Sequence, residues 1–434
     1  MTGADNVALG DQRYFAFISG LWTGDRGPLA QAAVLRSTNF RGDGYFDYGD
    51  IAELQVRTDQ LAKRKLEPDD IVIERSGGGP KQPVGRVAIF DPPDDRSYAT
   101  SNFTTAIRVV DRSAFDPHFV NFFLHSLYLT GATESLQRAT TGIRNLDWTE
   151  YQAFTVPKLP LDEQRSIVLL LSQAYRAAIV NDRQLRILAS LKRATMRTLF
   201  TKGLRGEAQK ETEIGPVPES WGVVALEALG KIGSGTTPDR KEPAYWNGSI
   251  PWITSGRMYE REITGSEVMV TSLAITKSSL PLLQPGAILI AIVGQGKTLG
   301  HVAMLRCEAT ISRHVGYVQP NTALVVPTFL RAFLESQYEG LRQIASGNGS
   351  TRAALTAGNL RPLPVPLPPT LDEQREIVAV LDAIDRKIDL HKRKRAVLDE
   401  LFKSLLHKLM TGEIRVTDLD LSALETAEPA GEAA

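Results

Sequence analysis

Along two long stretches of this chain, Asp162 to about Phe200 and Asp372 to about Met410, apolar residues recur at alternating steps of three and four, with no glycine or proline to interrupt them. In the second stretch the seam is Ile377, Leu381, Ile384, Ile388, Leu398, Phe402, Leu405 and Leu409. In the first it is weaker but in the same register: Ile167, Leu171, Ala174, Ala178, Leu185, Leu188 and Leu199. Such alternation keeps one side of a helix apolar and predicts two long helices of coiled-coil type. Their ends are marked as well. Acidic residues crowd each first turn, Thr370 and Glu373 have the spacing of a capping box, and Gly203 and Gly412 stand where a left-handed cap takes glycine. About 38 helical residues rising 1.5 Å each make a rod of roughly 55–60 Å. Midway both seams turn polar, at Asn181 and at His391 with Arg395.

The two halves of the chain are copies of one plan. Leu161-Asp162-Glu163-Gln164-Arg165 recurs 210 residues later as Leu371-Asp372-Glu373-Gln374-Arg375, and the match runs without a gap to Thr201 and Arg205 against Thr411 and Arg415. Upstream, Pro117, Phe119, Phe123, Leu124 and Ser126 match Pro327, Phe329, Phe333, Leu334 and Ser336, each set reading as a short helix that starts at proline. Further back, Leu66 to Ile73 parallels Leu283 to Ile290 as a turn feeding a buried strand, and Gly85 to Ile89 parallels Gly300 to Met304 as a second strand. The expected fold is therefore α+β: two mixed α/β domains separated by two long helices that pair as an antiparallel coiled coil, with an internal pseudo-two-fold repeat. The expected boundaries are a first domain over 1–158, a helix over 159–203, a linker over 204–219, a second domain over 220–368 and a helix over 369–413. An acidic tail without fixed structure is expected over 414–434.

Composition narrows the function classes. With 434 residues, 42% of them hydrophobic, the chain can bury two or more cores. A single cysteine, Cys307, excludes an internal disulfide and a thiolate zinc cluster, which fits a reducing cytosol. The longest apolar run, Ala287 to Val293, is far too short to span a bilayer, and the N-terminus with Asp5 and Asp11 does not read as a signal peptide, so a cytoplasmic protein is expected. Fifty basic residues balance fifty acidic ones. A self-sufficient DNA binder usually carries a basic excess, so any DNA role requires segregated charge or a partner that supplies phosphate contacts.

The duplicated helix starts, Pro160-Leu161-Asp162-Glu163-Gln164-Arg165 and Pro369-Thr370-Leu371-Asp372-Glu373-Gln374-Arg375, carry a resemblance to a known family. So do the helix-ending Thr411-Gly412-Glu413-Ile414-Arg415 and the domain opening Trp246-Asn247-Gly248-Ser249-Ile250-Pro251-Trp252-Ile253. In this order and duplicated, they make the chain resemble, over nearly its full length, the specificity subunit of type I restriction-modification enzymes. The resemblance implies a non-catalytic subunit with two target-recognition domains, each reading one half of a bipartite asymmetric site in double-stranded DNA, and helices that set the gap. It implies no cofactor of its own. The implied partners are two copies of an adenine-N6 methyltransferase subunit and ATP-dependent motor-nuclease subunits. The first domain departs from the pattern, since Val34 to Asn39 stands where the Trp-x-x-Gly-x-Ile-Pro-Trp opening belongs.

The DNA-contacting candidates are polar and basic loop residues. In the first domain they are Arg75, Ser76, Lys81, Arg86, Asn102, Arg144 and Asn145; in the second, Arg257, Gln295, Lys297, Arg313, His314, Asn348 and Arg352. Arginine and asparagine can make bidentate contacts to guanine and adenine edges, and lysine mainly positions the backbone. For each, a solvated loop charge is the alternative. Two motifs suggest other chemistry. Gly294-Gln295-Gly296-Lys297-Thr298 resembles the end of a phosphate-binding loop, which would make the chain a nucleotide hydrolase. However, Ala291 holds the first-glycine position, a strand-like His301 to Leu305 follows, and the sister loop carries Pro80 and Pro83. Asp91-Pro92-Pro93-Asp94 resembles an adenine-methyltransferase signature but ends in a residue that cannot stack on a base. A third reading is a coiled-coil interaction protein with no DNA role.

Overall fold

The computed structural model describes residues 5–21, 27–79, 82–140, 143–294, 296–347 and 354–420. Four helices organise it: α1 (Pro117–Leu129), α2 (Leu161–Lys202), α3 (Pro327–Ser336) and α4 (Leu371–Thr411). The chain divides into two compact units, residues 1–181 with 394–434, and residues 182–393. Each unit thus owns one α/β domain, the first half of one long helix and the second half of the other. Among the described residues, no helix is long and apolar enough to cross a membrane.

In the first unit, β1 (Phe15–Ser19), β2 (Ile71–Glu74), β3 (Val87–Ile89) and β4 (Thr104–Val109) form an antiparallel sheet of order β1-β4-β2-β3. Strands β2 and β3 are buried along their whole length, which explains their continuous rather than alternating apolar character. Helix α1 starts where expected. Pro117 has no N–H to satisfy at the first turn, and the Asp116 carboxylate accepts from the amides of His118 (2.9 Å) and Phe119 (3.2 Å). Its Phe119 and Phe122 share a core with Ile167, Leu171 and Ala174 of α2 and with Phe402, Leu406 and Leu409 of α4.

The second unit repeats the plan. Strands β5 (Gly230–Ser234), β6 (Ile288–Ala291), β7 (Val302–Leu305) and β8 (Val315–Pro320) are ordered β5-β8-β6-β7, with Glu262–Ile263 added in parallel to β7. Phe329 and Phe333 of α3 pack with Ile377 and Leu381 of α4 and with Met196, Leu199 and Phe200 of α2. The start of α2 meets the end of α4 in one unit, and the end of α2 meets the start of α4 in the other. The helices are therefore paired antiparallel.

One glutamine per repeat ties each domain to its helix. Gln164 accepts from the Asp116 amide (2.8 Å) and donates to the carbonyls of Ala114 and Leu159 (both 2.8 Å). Its repeat partner Gln374 accepts from the Val326 amide (2.7 Å) and donates to the Leu324 carbonyl (3.4 Å). Both glutamine side chains are buried, so each amide group finds its partners in the backbone rather than in water.

Several local expectations are refined. Gly203 (φ +63°) and Gly412 (φ +76°) do close the helices in the left-handed region. Half of the capping box forms: the Glu373 amide donates to Thr370 Oγ1 (3.2 Å), while the Glu373 carboxylate accepts from Nε1 of the buried Trp221 (3.1 Å). The middle of the seam, at Leu185, Leu188, Ile388 and Leu398, is only half-buried. Residues 204–219 hold a β-hairpin, Gln209–Thr212 with Gly215–Pro218. Within the acidic tail, Val416–Asp418 forms a 3-10 turn with Val416 buried, and residues 421–434 lie outside the described residues.

Candidate nucleic-acid interface

Several of the sequence candidates lie at the same end of the two equivalent sheets. In the first unit this is the C-terminal end of β2 and the N-terminal end of β4, where Glu74 pairs with Thr104. A three-stranded sheet extends it: Ser76–Gly78 pairs with Ile143–Leu146, which pairs with Gln137–Thr140. Arg75, Ser76, Arg144 and Asn145 therefore share one small surface. Ser76 Oγ donates to Asn145 Oδ1 (2.6 Å), and Arg144 reaches Gln137 Oε1 (3.3 Å). Asn102 is exposed in the adjoining turn, beside an exposed Phe103 whose carbonyl accepts from the Arg75 amide (2.8 Å).

Arg75 is the unusual member. Its guanidinium carbon lies 4.4 Å from the centroid of the Trp148 ring, one Nη reaches Thr105 Oγ1 at 3.3 Å, and its Nε is buried without a hydrogen-bond partner. Among the described residues no carboxylate pairs with it, and burial pulls its pKa below the usual guanidinium value. The indole is held rigidly by Phe17, edge-on at 5.2 Å, and by Tyr151, stacked at 5.7 Å. A cation kept on an aromatic plate, partly dehydrated and lacking a counter-charge, is ready to accept an anion or a base edge.

Arg86 is placed differently. It makes a fork on Glu74, Nε to Oε2 at 2.8 Å and Nη2 to Oε1 at 2.9 Å, and Nη2 also donates to the Ser37 carbonyl at 2.9 Å. Glu74 is buried, so this pair holds the interior and Arg86 is not carried into the interface.

In the second unit the corresponding end is the C-terminus of β6 and the N-terminus of β8, where Ala291 pairs with Val315. Arg313 is exposed in the turn before β8, its Nε 3.3 Å from His314 Nε2. Lys297 is exposed in the turn that joins β6 to β7. That turn is held by its carbonyls: Arg342 donates to Gly296 O (2.6 Å) and Tyr338 OH to Lys297 O (2.7 Å). Tyr259, exposed, hydrogen-bonds Thr298 Oγ1 through its hydroxyl (2.8 Å), and the His301 ring lies between Tyr259 (4.6 Å) and Tyr338 (4.9 Å). Arg257 is paired with Glu260. Lys81, Gln295, Asn348 and Arg352 lie outside the described residues.

Residues 218–400 match the model of the type I restriction modification DNA specificity domain. A Methanocaldococcus jannaschii protein named as the MjaX type I restriction enzyme specificity subunit is 24% identical over 364 residues, 83% of this chain and 82% of its own length. The chain is thus similar to type I restriction enzyme specificity subunits over most of its length, and residues 218–400 match the family's domain model. The MjaIX specificity subunit of the same organism is 30% identical over 215 residues, 48% of each chain. The crystal structure of the S subunit from M. genitalium shares the fold with a TM-score of 0.53 at 15% identity, covering 94% of this chain and 97% of that one.

The described part of the phosphate-loop motif, Gly296 to Thr298, lies in a turn between strands: β7 follows it in place of a helix, and the carbonyls of Gly296 and Lys297 are held by Arg342 and Tyr338. Asp94 of the Asp-Pro-Pro-Asp motif is bound to Arg96 at 2.9 Å in a surface turn. Sequence reasoning missed the aromatic members: Trp148 beneath Arg75, and Tyr259 and Tyr338 around the Lys297 turn. For Trp148 a signal was present, since it closely follows Arg144 and Asn145.

Proposed function

We propose that this chain is the sequence-reading subunit of a type I restriction-modification complex, with no catalytic role of its own. Residues 1–158 and 220–368 are its two target-recognition domains, each reading half of a split site in double-stranded DNA. The helices over 159–203 and 369–413 set the gap between the half-sites. The observation that carries this reading is the duplication in space: two equivalent sheets, each joined to the helix pair by the same glutamine and each gathering basic and polar loop residues at the same end. The loop chemistry differs between them, Arg75 on Trp148 in one and Tyr259 on Thr298 beside Lys297 in the other, as two different half-sites require.

Docking of two methyltransferase subunits is supported by repeat-related apolar residues that remain exposed on the helices. They are Val180 and Leu390, Ile187 and Val397, and Leu191 and Leu401, each pair offset by 210 residues. Equivalent apolar positions left open on both helices suit two copies of one partner. Those partners then provide the phosphate contacts that a chain of zero net charge does not advertise. The test is to map methylated adenines in a host with and without this gene. A split motif whose methylation depends on the gene is expected; an unchanged methylation pattern overturns the reading.

A further inference from the structure

The two ends of the helix pair are built from different chemistry at repeat-equivalent positions. In the first unit the contact between the long helices and α1 is aromatic. Tyr175 of α2 stacks on Tyr45 at 4.0 Å, and Phe402 of α4 lies 6.5 Å from Tyr175, 6.5 Å from His125 and 6.1 Å from Phe122. Asn121 donates to the Gly44 carbonyl at 3.2 Å. Shifted by 210 residues, Tyr175, His125 and Asn121 become Asp385, Glu335 and Arg331, and Phe402 becomes Lys192. In the second unit these four form a charge network in which Asp385 and Arg331 are buried and Lys192 and Glu335 half-buried. Lys192 contacts Glu335 (2.5 Å) and Asp385 (2.9 Å), Arg331 contacts Glu335 (2.6 Å), and Arg261 contacts Asp385 (2.8 Å) and Asp382 (3.2 Å).

The seam itself does not distinguish the two ends. Ile167 and Ile377, Leu171 and Leu381, and Leu199 and Leu409 are identical pairs, so by packing alone either helix could take a second copy of itself as partner. The sockets forbid it. A second copy of α2 in the place of α4 puts the Lys192 ammonium among Tyr175, His125 and Phe122, where the neighbouring carboxylate, Asp43, is already held by Arg41 at 3.2 Å. A second copy of α4 in the place of α2 removes one cation from the Asp385–Glu335 network and drops the Phe402 ring among charges. The first arrangement places a charge without a free counter-charge in an apolar socket, and the second leaves two carboxylates sharing fewer cations beside an apolar ring, so both are unfavourable.

We propose that the aromatic and ionic sockets are a pairing code: each half of the chain recognises the other half as its helix partner and rejects a second copy of itself. The full chain carrying a protease site after Gly206, on the exposed turn beyond α2, is folded, cut, unfolded in urea and refolded. Native mass spectrometry then counts mixed pairs of N- and C-terminal halves against pairs of like halves. Mixed pairs are expected to exceed like pairs at least tenfold. Like pairs in comparable yield, or failure of mixed pairs to re-form, overturn the proposal. Two single substitutions probe the chemistry directly. Lys192→Phe is expected to let N-terminal halves pair with each other, and Phe402→Lys to do the same for C-terminal halves. If neither substitution changes the ratio, the sockets are not the discriminator and the proposal fails.

Discussion

Replacing Arg75 with alanine removes a guanidinium that has lost part of its hydration without gaining a carboxylate. Two small effects then oppose each other in the free protein. The contact with Trp148 is lost, worth about 0.5–1 kcal/mol, and the desolvation of an unpaired charge is relieved. Folding stability should therefore change by less than about 1 kcal/mol. DNA binding should not be spared, because a side chain making a bidentate base contact contributes about 1–3 kcal/mol of discrimination, roughly a 5- to 150-fold loss for the cognate half-site. Arg86→Ala supplies the contrast. It leaves Glu74, whose side chain is 2% exposed, without its bidentate partner, and breaking a buried pair from one side destabilises by about 3–5 kcal/mol. Urea unfolding gives the first quantity. Titration of duplex carrying the mapped site, at fixed salt and with the assembled methyltransferase complex, gives the second. A variant Arg75→Ala that unfolds several kcal/mol more easily yet binds its site unchanged would refute the assignment of Arg75 to the interface. An Arg86→Ala variant of undiminished stability would refute the reading of Glu74 and Arg86 as an internal pair.

Burial pushes the His125 imidazole down to about 4, so the unfolded chain binds a proton before the folded one does. Stability is then retained above pH 6.5 and falls as pH drops toward 4, by about 2 kcal/mol between pH 7 and pH 5; urea midpoints at the two pH values should show this slope in the wild type and lose it in His125→Gln. Gln164→Ala should destabilise by about 1–3 kcal/mol, because it leaves the buried Ala114 carbonyl and the half-buried Asp116 amide and Leu159 carbonyl without their partner, as read by thermal unfolding. Inserting four residues, about 6 Å of helix, at repeat-equivalent points of α2 and α4 should lengthen the preferred gap of the methylated motif by one or two base pairs, and an unchanged gap in the methylation map contradicts the ruler. Lys297→Ala should weaken DNA binding modestly and leave nucleotide affinity where it was; loss of measurable nucleotide binding would instead favour the hydrolase reading.

Local pattern determined much of this protein. The unbroken heptads from Asp162 and Asp372, the glycines just beyond them, and the proline helix starts at Pro117 and Pro327 act through neighbouring residues, and the 210-residue repeat turned one reading into two. The resemblance to specificity subunits was legible for the same reason, since the motifs that carry it are local and duplicated. Tertiary structure alone decided which charges were available. Arg75 and Arg86 look alike in sequence, but strand pairing sets Arg86 across from the buried Glu74 and carries Arg75 past the strand end onto Trp148, 73 residues away. It also decided that each unit takes half of both long helices, so that Lys192 meets Asp385 and Phe402 meets Tyr175. Such partners are fixed by packing between distant segments, and periodicity along one segment carries no information about what another will bring to face it.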